Sequence, residues 1–426
     1  MTVDRAGPGR LSVGSWVVYD LANTIFALGV IGLYFPDWLK SVGRPDSALA
    51  FVEASAGAIV ILLAPWAGAR SDARGTRVPT LIVTTIIAVT ATATLATGPE
   101  LASLIALGLA LIAFNVGSVV YDALLVDVST PLNRGWVSGL GVGVGYLGSF
   151  IGLGLGLITL DVLGWSYAAT FRVLALAFLL FALPAFFFID ERQVVDPAPA
   201  PKVRHIARRL IASWRLAATY DGVVRFLVGR FLYTDAINTL IGGFLTIFVI
   251  EELGLDRQFV TALLGVAITA AIIGALVAGR LVGRVGPLRV LRTVLVLWMV
   301  AIGSGVAAAV TGQTDLAWAI GPLGGLALGA TWTADRVVMA RISPPRHLGE
   351  FYGLYATVGR FATILGPLTW ALIVDGLGLG RRTAMAALIL FVGLGWWALR
   401  KVDDTEREWT TEDLPVVSGA PDVPLT

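Results

Sequence analysis

The chain has 426 residues, of which 57% are hydrophobic and 14% charged, against about 25% charged in soluble domains; the mean hydropathy is +0.82, as in a polytopic membrane protein. The absence of cysteine excludes disulfides, thiolate metal sites and cysteine nucleophiles, and two histidines, His205 and His347, both in predicted loops, leave no histidine metal centre. The net charge of +2 is uninformative until it is mapped onto loops.

Residues 1–13 are polar and read as a cytoplasmic N-terminus. The apolar run after them is too long for a signal-peptide core and lacks an Ala-x-Ala site, so it reads as a retained first span. A helix crossing ~30 Å of hydrocarbon needs about 20 residues. On that criterion twelve spans are predicted: 15–37, 48–68, 78–98, 101–123, 136–159, 166–189, 225–250, 259–282, 288–311, 315–339, 350–374 and 382–400. Only TGPE separates the third from the fourth, a Gly-Pro hairpin. Glycines in GLGVGVGYLGSFIGLGLG leave the fifth nearly smooth, for close helix packing.

Residues 190–222 form the longest internal polar stretch. A DPAPAP linker precedes KVRHIARRLIASWRL, where Val203, Ile206, Leu210 and Trp214 share one helical face and Arg204, Arg208, Arg209 and Arg215 lie off it. This segment is either an amphipathic helix on the inner leaflet or a solvated basic linker. Residues 401–426 read as a polar, disordered cytoplasmic tail. The expectation is an all-α fold of two six-helix bundles, 14–189 and 223–400, joined by the cytoplasmic linker 190–222. Most of the 31 Lys and Arg fall in loops on the side of the termini, among them Arg70, Arg74 and Arg77 between spans two and three and Arg280, Arg284, Arg289 and Arg292 around the turn between spans eight and nine. The opposite loops hold Lys40, Arg44, Arg257, Arg381 and Arg382. Both termini are therefore expected in the cytoplasm.

The halves repeat each other. D-x-x-N-T is written twice, as Asp20, Asn23, Thr24 and as Asp235, Asn238, Thr239. At an offset of 214, Ser129, Pro131, Gly135, Gly139, Gly145 and Gly152 match Ser343, Pro345, Gly349, Gly353, Gly359 and Gly366. The matched halves share one orientation, as parallel repeats about an axis along the membrane normal do.

Ionisable residues inside spans default to a bundle-facing, functional role. Asp20 and Asn23 fall on span one, Tyr121 and Asp122 on span four, Asp235 and Asn238 on span seven, Trp332, Asp335 and Arg336 on span ten, and Arg360 on span eleven. Asp20 is expected about 6 Å inside the cytoplasmic boundary if span one enters near Trp16, and Asp235 at a similar depth if span seven turns apolar at Phe231. With Asp122 and Arg336 they form one expected layer in the inner third, and Arg360 lies nearer the midplane. Three readings of the layer stand open: the floor of a cavity, with carboxylates holding an ammonium and Arg336 or Arg360 a carboxylate; an inner gate in which Asp20 or Asp235 pairs with Arg336; or a static polar cluster fixing helix register.

Between spans two and three stands GARSDARGTR, with Gly68, Asp72, Arg74, Gly75 and Arg77; between spans eight and nine stands GRLVGRVGPLR, with Gly279, Gly283, Arg284, Gly286 and Arg289. Both resemble the G-x-x-x-D-x-x-G loop of the major facilitator superfamily. The resemblance implies that Asp72 engages the start of span eleven near Gly349–Phe351, that cations latch the halves, and that spans one, four, seven and ten line a central cavity. Gly283 stands where the second acid is expected, which makes the latch one-sided. A role for these arginines in anchoring loops to anionic lipid is the alternative. Within the superfamily, YDLANTIF, YDALLVDVSTPLNRGWVSGLGVGVGYLGS, RFLYTDAINT and GEFYGLYATVGRFATILGP resemble the vacuole-effluxer-like family, which includes autophagy-related vacuolar amino-acid effluxers. Asp122 and Val126 depart from that pattern, which has Asn and Pro there.

The resemblance implies export of an amino acid or similar small polar solute; a secondary transporter working by alternating access is expected, with proton coupling or substrate exchange as its drive. The rivals are a multidrug-type exporter and a non-transporting receptor or scaffold. No Walker motif is present, which disfavours ATP drive. Neither an enzyme nor a cofactor is expected. The expected partners are a small-molecule substrate, protons and the lipid bilayer, with no nucleic acid, for a monomer in the bacterial inner membrane.

Overall fold

A computed structural model describes residues 9–74, 76–125, 127–130, 134–191, 211–344 and 348–405. The protein is all-helical. Helix stands at each of the twelve predicted spans: α1 (Arg10–Ser41), α2 (Asp46–Arg74), α3 (Val78–Ala93), α4 (Glu100–Leu124), α5 (Arg134–Gly156), α6 (Tyr167–Phe188), α7 (Val223–Glu252), α8 (Arg257–Val285), α9 (Pro287–Thr311), α10 (Ile320–Ile342), α11 (in two pieces, Leu348–Phe361 and Leu365–Ala371) and α12 (Arg381–Leu399). Among the described residues, ten helices are long and apolar enough to cross a membrane. The two that fall short are α3, apolar but 16 residues long, and α10, which carries Asp335, Arg336 and Arg341. In hydrocarbon every backbone N–H and C=O needs an internal partner, and a helix supplies it.

Two expectations about continuity change. Helix α1 starts at Arg10, more than a turn before Trp16, and α7 at Val223, two turns before Phe231. Asp20 and Asp235 therefore stand about 15 and 18 Å from the first residues of their helices, at 1.5 Å per residue. Span eleven is not one helix. It divides into α11a (Leu348–Phe361) and α11b (Leu365–Ala371). Pro367 has no N–H to return to the carbonyl four residues back, at Thr363, which favours a break there.

Within the first half, α1 lies on α5 and α6, α3 on α4 and α6, and α2 on α4. Within the second, α7 lies on α11 and α12, α9 on α10 and α12, and α8 on α10. Each pair recurs six helices later, which is the pseudo-twofold relation of the two six-helix bundles. The bundles meet where α2 crosses α11, α5 meets α8, and α1 meets α7. Backbones come close along two seams. A Cβ at Gly148 of α5 would stand 2.1 Å from the Leu21 carbonyl oxygen, and one at Gly329 of α10 1.9 Å from that of Ala271. Only glycine permits such an approach.

Two acids close equivalent corners at the end bearing the termini. Glu191, after α6, accepts from the N–H groups of Arg77 and Val78 at the start of α3, the latter at 2.7 Å. Asp404, after α12, accepts from Leu288 N–H at the start of α9 at 3.0 Å. Of the predicted amphipathic segment, only residues 211–217 are described as helical; Val203, Ile206 and Leu210, with the tail beyond residue 405, lie outside the described residues.

Candidate functional site

Between the halves lies a cavity of ≈ 430 Å³. Its wall is mostly apolar, from residues such as Ala27, Leu28, Ile31 and Val60, and its charged members are Glu53 of α2 and Arg360 of α11a. Asn238 of α7 and Thr24 of α1 line it too.

The end of the molecule opposite the termini is tied shut between the halves. Arg257, at the start of α8, bonds Asp37 Oδ2 of α1 at 2.8 Å and Asp161 Oδ1, after α5, at 2.5 Å. Tyr167 of α6 donates to the same Asp37 oxygen at 2.6 Å and accepts from Arg257 at 2.9 Å. Across the pseudo-twofold axis, Arg381 of α12 grips Asp46 of α2 with Nε at 2.8 Å and a terminal nitrogen at 2.9 Å. Asp46 is fully buried and also accepts from Lys40 at 2.7 Å and Trp370 Nε1 at 2.9 Å. Ser47 N–H donates to Asp375 after α11b at 2.5 Å. Deeper in, Thr246 of α7 donates to the Gly32 carbonyl of α1 at 2.6 Å. Helix α7 bends at Gly243, whose φ of +110° and whose Pro36 neighbour leave no room for a side chain; a Cβ would lie 2.3 Å from Pro36 Cγ.

Toward the end bearing the termini, Asp20, Asp122, Arg336 and Arg360 share one electrostatic neighbourhood. Asp20 feels Asp122 and Arg336, and Asp122 feels Arg360 and Arg336. Asp122 and Arg336 are exposed, and no ion pair within 4.0 Å links the four among the described residues. Asp20 lies against Gly145 of α5, with Oδ2 2.6 Å from where a Cβ would stand.

Asp235 does not join them. It is fully buried, and its Oδ1 accepts from the Ile364 N–H at the start of α11b at 3.1 Å. Asn238 Nδ2 donates to the Ala362 carbonyl at 2.6 Å. The second D-x-x-N-T thus clamps both sides of the break in span eleven, and among the described residues Asp235 makes no ion pair with Arg336. In the first copy, Thr24 donates to the carbonyls of Gly145 and Leu21, against an α5 that runs unbroken at this level. Asn23 is buried. Tyr121 is buried as well: it stacks on Trp16 at 4.7 Å, donates to the Trp16 carbonyl at 3.1 Å, and its own carbonyl receives Trp16 Nε1 at 3.1 Å. Trp332 is half-buried.

The sequence pointed to Asp335 but not to its partner Arg230, about a turn before Asp235, with which it forms a buried ion pair. Arg230 Nε lies 3.3 Å from Asp335 Oδ2, and both side chains are buried. Tyr355 donates to Asp335 Oδ1 at 2.8 Å, and the Arg230 guanidinium lies 3.6 Å from the centre of the Tyr355 ring. The signal was an arginine inside an apolar span. Glu53 carried the same kind of signal, and Arg257 and Arg381 stood out only as charges of the opposite loops.

Of the expected latch loop, the side chains of Gly68, Asp72 and Arg74 lie outside the described residues. Arg77 bonds Asp127 Oδ2 at 2.9 Å, inside its own half. In the second loop Gly279, Arg284 and Arg289 are exposed, and the acid at the turn is Asp404, with Gly286 at φ +92° between α8 and α9. Among the described residues no three of His, Asp or Glu stand together to hold a metal.

The chain is 27% identical over 401 residues, 89% of its length and 92% of the relative's, to an uncharacterized MFS-type transporter of Bacillus subtilis, YxiO. It is 24% identical over 331 residues to autophagy-related protein 22-1 of Neosartorya fischeri, of which it spans about half, 52%, with 69% of its own length matched. The fold is similar to that of the nucleoside transporter NupG, with TM-score 0.69 at 12% identity over 93% of this chain and 100% of that one. It is also similar to a bacterial homologue of the human lysosomal transporter Spinster, inward-facing and unoccupied, with TM-score 0.68 at 15% identity over 94% and 98%. The Major Facilitator Superfamily family model matches residues 21–367 and 226–420. Paired bundles, a cavity between them and a match along most of its length make this chain a member of the Major Facilitator Superfamily of transporters.

Proposed function

We propose that this transporter exports a small polar solute, an amino acid or similar metabolite, by alternating access coupled to protons. The observation that carries the reading is a cavity holding charge of both signs between two pseudo-twofold bundles that are ionically tied at one end only, among the described residues. In this reading the moving bodies are 14–189 and 223–400, with 190–222 as the joining segment. The tied end faces outward, and the Arg-rich end with both termini faces the cytoplasm of a bacterial inner membrane. Arg360 holds a substrate carboxylate. Asp20 and Asp122, close to each other and to Arg336, carry the proton. The resemblance of its motifs to the vacuole-effluxer-like family, which includes vacuolar amino-acid effluxers, favours a polar metabolite over a lipophilic drug. The unit of function is the monomer.

The test is counterflow in proteoliposomes loaded with unlabelled solute, with labelled amino acids, nucleosides and lipophilic cations in turn. The expected result is uptake of an amino acid that Arg360→Gln lowers at least tenfold and that a proton ionophore perturbs. Counterflow of lipophilic cations alone establishes a multidrug exporter, and no counterflow of any solute establishes a receptor or scaffold.

A further inference from the structure

We infer that Glu53 is the ammonium-binding residue of the cavity, and that with Arg360 it orients a zwitterion along the membrane normal, ammonium toward the tied end. The inference rests on the reading that this cavity is the substrate site with Arg360 at the substrate carboxylate, and adds the second pole to it. Glu53 and Arg360 are the charged members of the lining. Both residues are half-buried. Among the described residues neither side chain makes a hydrogen bond or an ion pair, with the other or with any third group.

The fold holds the two charges apart. Helix α2 leaves the tied end at Asp46 and α11 runs toward it, so the two are antiparallel where they cross. They cross at Gly57, where a Cβ would stand 2.9 Å from Thr363 Oγ1 and 3.3 Å from Ile364 Cγ1. Glu53 lies four residues from Gly57 toward the tied end, and Arg360 three residues from Thr363 toward the end bearing the termini. At 1.5 Å per residue their backbones stand on levels about 10 Å apart. The Glu53 carboxylate is seated beside the bend of α7, its Oε1 2.8 Å from where a Cβ of Gly242 would stand.

An unpaired charge in an apolar enclosure is costly, and this cavity holds one of each sign. Donors on the neighbouring helices are spent: Asn238 Nδ2 on the Ala362 carbonyl, and the Thr24 hydroxyl on the carbonyls of Gly145 and Leu21. Asp122, whose charge Arg360 feels, is not part of the lining. One ligand satisfies both poles. An ammonium only donates and suits the carboxylate; a carboxylate only accepts and suits the guanidinium fork. Two charge-assisted hydrogen bonds of about 2.8 Å each, with the backbone of an amino acid between them, bridge a gap of this order. Ala56 and Val60 of α2 and Leu28 and Ile31 of α1 give the rest of the ligand an apolar wall.

The experiment follows thermal unfolding of the purified full-length chain in detergent, titrated with L-leucine and with two analogues that each lack one pole, isopentylammonium and isocaproate. The expected result is saturable stabilisation by L-leucine, at a half-saturating concentration at least tenfold below that of either analogue. In Glu53→Gln L-leucine loses its advantage over isocaproate, and in Arg360→Gln its advantage over isopentylammonium. Glu100→Gln, at an exposed ion pair, keeps both. A merely structural role for Glu53 would weaken L-leucine and isocaproate alike and preserve their ratio. L-leucine binding no tighter than its analogues in the parent, or an advantage over isocaproate retained in Glu53→Gln, overturns the inference. Should Glu53→Gln not be recovered folded, Gly242→Ala decides, because its Cβ displaces the Glu53 carboxylate: the advantage over isocaproate falls at least threefold, and an undiminished one overturns the inference. Binding is read apart from transport. A Glu53-dependent advantage with no counterflow of any solute therefore removes only the transport reading, and amino-acid counterflow without that dependence removes only this one.

Discussion

Replacing Arg257 by alanine should open the tied end. The guanidinium makes two ionic hydrogen bonds to the other half, to Asp37 at 2.8 Å and Asp161 at 2.5 Å, and a third to Tyr167. Hydrogen bonds to charged groups contribute about 1.5–3 kcal/mol each when buried. The Arg257 side chain is 22% exposed, so solvent screening brings each toward ~1 kcal/mol. The sum, about 2–3 kcal/mol, lowers the ratio of closed to open forms at this end about 30- to 150-fold. The chain has no cysteine, so spin labels can be placed on Ser41→Cys and Gln313→Cys, exposed positions of the two halves at this end. Double electron–electron resonance should then show a longer-distance population in Arg257→Ala that the parent lacks. Arg44→Ala, which removes an exposed pair with Glu100 inside the first half, should leave the distribution unchanged. Identical distributions for Arg257→Ala and the parent would refute the reasoning, since the cross-half bonds would then hold nothing shut.

Three further outcomes follow from the same geometry. Arg230→Met leaves Asp335 buried without its cation and should cost about 3–5 kcal/mol, read as a fall in the detergent melting temperature; Arg230→Met with Asp335→Leu should recover at least half of the fall, and strictly additive losses would contradict the pairing. Gly243→Ala puts a Cβ 2.3 Å from Pro36 Cγ on a residue with φ +110°, so the same spin-label pair should report the longer distance; an unchanged distribution with normal expression would count against the close crossing of α1 and α7. Asn238→Leu removes the donor to the Ala362 carbonyl and should cost about 1–3 kcal/mol, with faster hydrogen exchange beginning at Ile364; protection equal to the parent would show that α11b holds its start without the clamp.

What the sequence disclosed follows from which forces are local. Burial in lipid writes itself into every span, so the helices and the division into six and six were legible from hydrophobicity and the polar stretch 190–222. The repeat of D-x-x-N-T was legible because duplication keeps spacing. The meaning of the repeat was not, because it depends on the partner: the first copy faces an α5 continuous through Gly145, and the second faces a break near Pro367. Depth along the chain, which is counted in residues, grouped Asp20, Asp122 and Arg336 but also placed Asp235 with them and set Arg360 apart, nearer the midplane. Depth says nothing about azimuth, however, and azimuth turned Tyr121 into the packing of Trp16 and Asp235 toward Ile364. Arg230 and Asp335 lie on helices whose contact no local pattern announces.

The corner acids Glu191 and Asp404 carry a practical lesson. Each ties the exit of a bundle's last helix to the entrance of its third, so neither residue belongs to a dispensable appendage. A chain cut after Lys401 would lose the stopper of α9 although every helix survived intact, and a fusion joined there would load that corner mechanically. Deleting or shortening the joining segment at Asp190 would strip the matching stopper from α3. Trimming from the C-terminus should therefore halt at residue 405.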